Sequence, residues 1–424
     1  MNSSESETGI TKKQDSFKTL FFKFAAMSGT YWFAACFTSY QTIFLQSIGW
    51  NAAQVGVINS VNSTVGVFST PFWGTLSDKI RSIKKIIIVL IVCAALTYLS
   101  VPYLDFRIAG ISFLFIMIPL SSFFKVPLSS LIDNWTVRAC NQNGLHFGAI
   151  RSFGSISFGI IGLILGYVVT KLNGEDGNLG TRLTFIFYAF FMIALLVSVL
   201  LIRENLEGGA SRRHQKLSEM QFGRLFKNYY YMTYLIYAML IQVPLSCVYS
   251  FLPYLMTEID VPTGMLGYIT GFKAFIEVPM LLLMDKVRNK CPLYYLLFAS
   301  GALYLCEALG YSLCGNFWQL ILISTFQGLA GGLHIAAGSN YVATLSPDNL
   351  KATAQTLNGS MVSLAGILGN LIGGFLIYSY GVRTFYRISA VVICVSLIIY
   401  ICSFPFGEKV LHLPKPKIVK HGIS

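Results

Sequence analysis

Asp78-Lys79-Ile80-Arg81 closes one long apolar run, and Asp285-Lys286-Val287-Arg288 closes another 207 residues later. The same offset carries Gly159, Gly162 and Gly166 onto Gly366, Gly369 and Gly373. Two unrelated features sharing one offset point to an internal duplication. The surrounding residues say what was duplicated. Apolar runs of about 20 residues, each long enough to cross roughly 30 Å of hydrocarbon, recur along almost the whole chain. Twelve can be counted. At 54% hydrophobic and 12% charged residues over 424 positions, the composition falls outside the range of soluble domains. The reading is an all-α membrane protein of twelve transmembrane helices, six spans duplicated in parallel, an arrangement in which two bundles rock about a site near the bilayer midplane.

Polarity shifts set the expected boundaries. Residues 1–19 form an N-terminal arm, 20–202 a first six-helix bundle, 203–226 a central loop, 227–404 a second bundle and 405–424 a tail. The first apolar run lacks a small-residue cleavage site, so it is read as a retained span and not as a signal peptide. Of the 31 Lys and Arg, 23 fall on the side of the two termini, five on the other side and three within spans. That asymmetry predicts a multi-pass protein of the cell membrane with both termini cytoplasmic. The net charge of +13 thus reports topology and gives no reason to expect a nucleic-acid partner. Nine scattered cysteines, with no Cys-x-x-Cys and no Cys/His cluster, indicate neither disulfides nor a metal site. No cofactor motif is present. The absence of a nucleotide-binding loop, Gly-x-Ser-x-Gly and His-Glu-x-x-His speaks against an enzyme.

Charges inside spans are the candidates for chemistry, because each costs roughly 2.5 to 3.5 kcal/mol to insert. Six occur: Lys125, Asp133 and Arg151 in the first half, Lys273, Glu277 and Glu307 in the second. Their formal sum is zero, with the halves at +1 and −1. Asp133 and Arg151 flank the polar stretch Arg138–Gly144, read as a turn between spans four and five. Both lie nine residues from Gln142, so two antiparallel helices would bring them to one depth. Snorkelling explains either alone; both together favour a site. The duplication carries Asp133 onto Asn340 and Arg151 onto Asn358, which joins those amides to the candidate site. Phe158, seven residues after Arg151, shares its face. A guanidinium beside an aromatic plate suits a sugar ring. Glu277 and Glu307, with Lys273 and Lys125 as cationic neighbours, are the proton-coupling candidates, since a carboxylate with part-time partners in low dielectric can load and release a proton. Structural pairing with Lys273 explains Glu277 about as well.

The loop Gly74-Thr75-Leu76-Ser77-Asp78-Lys79 resembles the Gly-x-x-x-Asp-Arg/Lys loop between spans two and three of the major facilitator superfamily. Gly74, Asp78 and Lys79 match, Arg81 stands where the family has a second glycine, and Asp285 and Lys286 repeat the loop. By that resemblance these five residues gate helix movement and do not touch solute. Phe147-Gly148 through Arg151 to Phe153-Gly154 is similar to the span-five pattern of the lactose permease branch and its nucleoside and aromatic-acid relatives. The resemblance implies that Asp133 and Arg151 bind substrate and that Phe158 replaces a stacking tryptophan. Glu277 matches the coupling glutamate only with a short gap, Glu307 stands near a family arginine, and Gln327 or His334 would replace a family histidine.

The expected function is secondary active transport: import of a sugar, oligosaccharide or similar polyhydroxylated solute with a proton, by alternating access. The implied partners are that small molecule, the proton and the bilayer. Alternatives are a nucleoside or aromatic-acid symporter, a proton-driven multidrug exporter, against which the absence of proline from Phe147–Val169 counts, and a transport-dead membrane sensor. Sodium in place of the proton stays open, since Asn59, Asn62 and backbone could supply oxygens.

Overall fold

A computed structural model describes residues 17–108, 111–173, 179–203, 225–288, 291–347 and 350–413. The central stretch 204–224, most of the expected loop, lies outside them. Among the described residues twelve long helices follow one another: α1 Phe17–Phe37, α2 Ala52–Ile80, α3 Ile83–Ser100, α4 Leu114–Asn143, α5 Phe147–Asn173 and α6 Leu179–Leu201, then α7 Tyr229–Val248, α8 Leu266–Arg288, α9 Leu293–Leu313, α10 Phe317–Leu345, α11 Lys351–Tyr380 and α12 Val382–Lys409. They form two pseudo-symmetric six-helix bundles. Short helices extend α1 (Gln41–Ser47) and α7 (Leu252–Glu258). Two short antiparallel strands, β1 Arg107–Ile108 and β2 Ile111–Ser112, lie between α3 and α4.

Local signals set the helix ends. Asn51 and Gln54 make a reciprocal capping box at the start of α2, and Asn228 and Asn316 cap α7 and α10, each satisfying a donor the helix leaves open. Among the described residues, nine of the twelve helices are apolar and long enough to read as membrane spans; α1, α2 and α8 are not among them. These carry Lys18 and Lys23, Asn59 and Asn62, and Lys273 and Glu277. A helix with such a stripe must face something other than lipid. The contacts agree: α2 lies along α11 and α8 along α5, one helix from each bundle in both seams.

Glycines allow both seams to close. A Cβ on Gly162 would stand 2.9 Å from the Gly271 Cα, and one on Gly56 would stand 2.8 Å from the Gly374 Cα. The duplicated stripes divide here. Gly159, Gly162 and Gly166 all face α8, whereas Gly369 and Gly373 face α7 of their own bundle, and Gly374 meets α2.

Both seams lie toward the helix ends remote from the chain termini. Hydrogen bonds reinforce that side: Tyr40 Oη donates to the Gly264 carbonyl at 3.0 Å, Tyr254 Oη to the Trp50 carbonyl at 3.0 Å, and Gln46 Nε2 to Thr257 Oγ1 at 3.0 Å. The two tyrosines are 214 residues apart, and so are their acceptors, so the two bonds are symmetric partners at a spacing seven longer than the 207-residue offset. At the other ends of the seam helices the glycines are free. Gly74 of α2, Gly148 of α5 and Gly359 of α11 have nothing within 4 Å of where a Cβ would lie. The bundles therefore meet on the far side and part on the side of the termini.

Candidate functional site

Residues Arg138–Asn143, read above as a turn, are the last turns of α4, and the link to α5 is Gly144-Leu145-His146 alone. Arg, Asn and Gln do not stop a helix; Gly144 does, at φ 69°. The correction moves the charges. Asp133 lies ten residues before the end of α4, about 15 Å along its axis, while Arg151 is four residues into α5, about 6 Å. Their depths do not match, and no ion pair within 4 Å forms between them. Arg151 instead runs along α5 past Gly154, where a Cβ would stand 3.1 Å from its Nη1. Its guanidinium lies over the Trp32 ring of α1, 4.1 Å from the centroid. Nη1 is buried without an acceptor. Asp133 remains within the field of Arg151, and Tyr31 of α1 joins Asp133 and Ser129.

Phe158 does not cover the guanidinium itself. It meets the Trp32 ring edge-on at 6.2 Å, so Trp32 is the plate and Phe158 its side wall. The spacing along α5 that singled out Phe158 could not reveal a neighbour from another helix. The sequence signal for Trp32 is that it lies with Tyr31, Thr38, Tyr40 and Gln41 in an otherwise apolar run, too polar a set for a helix facing lipid all round.

In the second bundle α9 carries Glu307, 1% exposed. Tyr249, directly after α7, donates its hydroxyl to Glu307 Oε1. The same ring receives Lys273 of α8, whose Nζ stands 3.9 Å from the centroid. Tyr249 thus separates the ammonium from the carboxylate it would otherwise pair with. Glu277 and Glu307 both act on Lys273 electrostatically, yet neither makes an ion pair with it within 4 Å. Tyr304, Tyr311 and Tyr386 complete the surroundings of Glu307, and its Oε2 is buried without a hydrogen-bond partner. Helix α1 joins the two clusters: Trp32 holds Arg151, and Cys36, one turn further, lies within the field of Lys273.

The remaining candidates fall as follows. Lys125 Nζ lies 4.5 Å from the centroid of the buried Tyr98 ring, with no carboxylate in salt-bridge reach. Asn358 Oδ1, Asn62 Oδ1 and Gln327 Oε1 are buried without hydrogen-bond partners, whereas Asn340 is half-buried and engaged. His334 Nδ1 is 3.4 Å from Ser300 Oγ and its ring meets Tyr304 edge-on, the environment of a packing residue. At the end of α2, Asp78 pairs with Arg138 at 3.6 Å, with both side chains more than half exposed, a geometry worth little energy. Lys79 is exposed beside it. Asp285 and Lys286 end α8, and their side chains lie outside the described residues. Among the described residues no His/Cys/Asp/Glu group is arranged to hold a metal ion.

Two six-helix bundles meeting at α2–α11 and α5–α8, with charges held between aromatic rings, define a membrane transporter of the major facilitator type. The model of the MFS_1 like family matches residues 18–388, and the chain belongs to that family of transporters. Maltose permease of Geobacillus stearothermophilus is 23% identical over 372 residues, covering 87% of this chain and 90% of that protein. Multidrug resistance protein MdtG of Escherichia fergusonii is 21% identical over 348 residues, covering 81% of this chain and 82% of that one. The crystal structure of the nucleoside transporter NupG superimposes with a TM-score of 0.76 at 17% identity, over 91% of this chain and 99% of that chain. At that identity the likeness concerns the fold.

Proposed function

We propose that this protein is a proton-coupled symporter of the cell membrane that imports a sugar, oligosaccharide or similar polyhydroxylated solute. The observation carrying this reading is the Arg151 guanidinium, laid over Trp32 with a buried Nη1 that lacks an acceptor. A buried donor left open costs about 1 to 3 kcal/mol, and a solute hydroxyl or carbonyl would recover it. Asp133 and Asn358 add acceptors, and the Trp32–Phe158 wall suits the apolar face of a ring. Glu307 is the proton carrier: Tyr249 holds one oxygen, and the other is free to take the proton. The name of the maltose permease relative supports a sugar, while NupG keeps nucleosides as the neighbouring class. With the termini in the cytoplasm, the closed far side and parted near side describe an inward-facing state. Gly74, Asp78, Lys79, Asp285 and Lys286 then belong to the ends that must approach for the outward-facing state.

One observation favours a second reading. The MdtG relatives cover most of the chain, which supports a proton-driven exporter of amphiphilic compounds. Uptake of labelled sugars and nucleosides by expressing cells, with and without a proton uncoupler, separates the two. Accumulation that collapses with the uncoupler and is lost in Arg151→Ala supports import. Normal accumulation by Arg151→Ala removes the site, and lowered dye retention without uptake favours export.

A further inference from the structure

The interior charges of the first bundle are held by ring faces and not by carboxylates. Arg151 lies on Trp32 and Lys125 on Tyr98. Lys125, Ser129 and Asp133 follow one another at four-residue spacing along one face of α4, so the second cation belongs to the same column as the acid. Across the molecule, Lys273, Glu277 and Glu307 form the complementary set. None of the six makes an ion pair within 4 Å with another described residue, so no partner at contact distance neutralises any of them.

Resting on the symport reading above, we infer that the transported solute is a monoanion, a hydroxylated carboxylate such as a sugar acid. The argument is one of charge. Closing the bundles over the site removes water, and an uncompensated charge in low dielectric costs several kcal/mol. The empty site with all three carboxylates ionised sums to zero and can close. One proton alone leaves it at +1, and one monoanion alone at −1. Proton and monoanion together restore zero. Two of the four states can therefore cross, and they are the two that one-to-one symport requires. A neutral sugar reverses the pattern, since it leaves the site neutral without the proton and charged with it. Within the polyhydroxylated class proposed above, this set of residues therefore favours an acid over a neutral sugar. A phosphate monoester, carrying about −1.5 to −2 charge, overshoots. The Arg151 fork matches a carboxylate, which can accept two parallel N–H donors, and Asp133 is placed to accept from hydroxyls.

The test uses solutes matched except for charge, labelled glucuronate against glucose and gluconate against glucitol, in right-side-out vesicles containing the full chain. A pH gradient is imposed with the membrane potential clamped by potassium and valinomycin. The expected result is at least tenfold accumulation of the acids, none of the neutral partners, and no change when the clamped potential is altered, because the loaded carrier is electroneutral. Lys125→Arg keeps the charge and the accumulation; Lys125→Gln, matched for expression, loses both charge and accumulation. Proton-driven accumulation of the neutral partner overturns the monoanion and leaves the symport reading standing. Acid accumulation that follows the potential, or survives in Lys125→Gln, overturns the charge argument. Uptake of neither class, by a chain that still expels dye, overturns the inference and the symport reading together.

Discussion

The first bundle leaves its charged groups open, whereas the second closes them in. Arg151 rests on an indole with a donor to spare and Asp133 is only half-buried. Glu307 is buried within the electrostatic reach of four tyrosines, bonded to one of them, and held apart from Lys273 by that ring. An open donor can be completed by a ligand made of several atoms. A sealed carboxylate with one free oxygen has room for a proton and little else. The duplication thus produced two bundles of one architecture, and the function proposed above assigns recognition to one and the proton to the other.

That division can be broken most severely at Glu307. Glu307→Gln keeps an acceptor for Tyr249 but cannot ionise, so uphill accumulation is expected to vanish while exchange of labelled for unlabelled solute continues. Loss of both would place Glu307 in the solute's own site. Tyr249→Phe retains the ring beneath Lys273 and removes the hydroxyl. A hydrogen bond to a charged group contributes about 1.5 to 3 kcal/mol, and without it Glu307 Oε1 joins Oε2 in having no donor. The expected outcome is a roughly tenfold or greater fall in accumulation with a displaced pH profile and an unchanged KM for exchange. A change in KM alone would instead make Tyr249 a solute contact. Trp32→Leu is the mildest: it removes a cation–π contact of about 0.5 to 2 kcal/mol. It should raise the exchange KM a few-fold and leave the pH profile in place, whereas a moved pH profile would mean that the two clusters are not separate.

The sequence displayed the duplication plainly because membrane spans are long, periodic and bounded by charge, and an offset survives when spacing does. The in-span charges Lys125, Asp133, Arg151, Lys273, Glu277 and Glu307 were legible because they interrupt apolar runs. The depth of Asp133 was not, because polarity marks where hydrocarbon ends and not where a helix ends; Arg138–Asn143 stays helical until Gly144 reverses the backbone. Trp32 and Tyr249 were visible as residues but not as partners, since each touches side chains from helices far away in sequence. The separation of Lys273 from Glu307 by a ring can be seen only in three dimensions.

The paired tyrosine clasp has a mechanical consequence. Both acceptors are main-chain oxygens, at Gly264 and Trp50, which no side-chain replacement can delete, so the strength of these two bonds is set at Tyr40 and Tyr254. The two bonds tie opposite seams across the pseudo-twofold axis. Losing one leaves the other seam tied, and losing both leaves the Gln46–Thr257 bond and the glycine contacts to hold the far side.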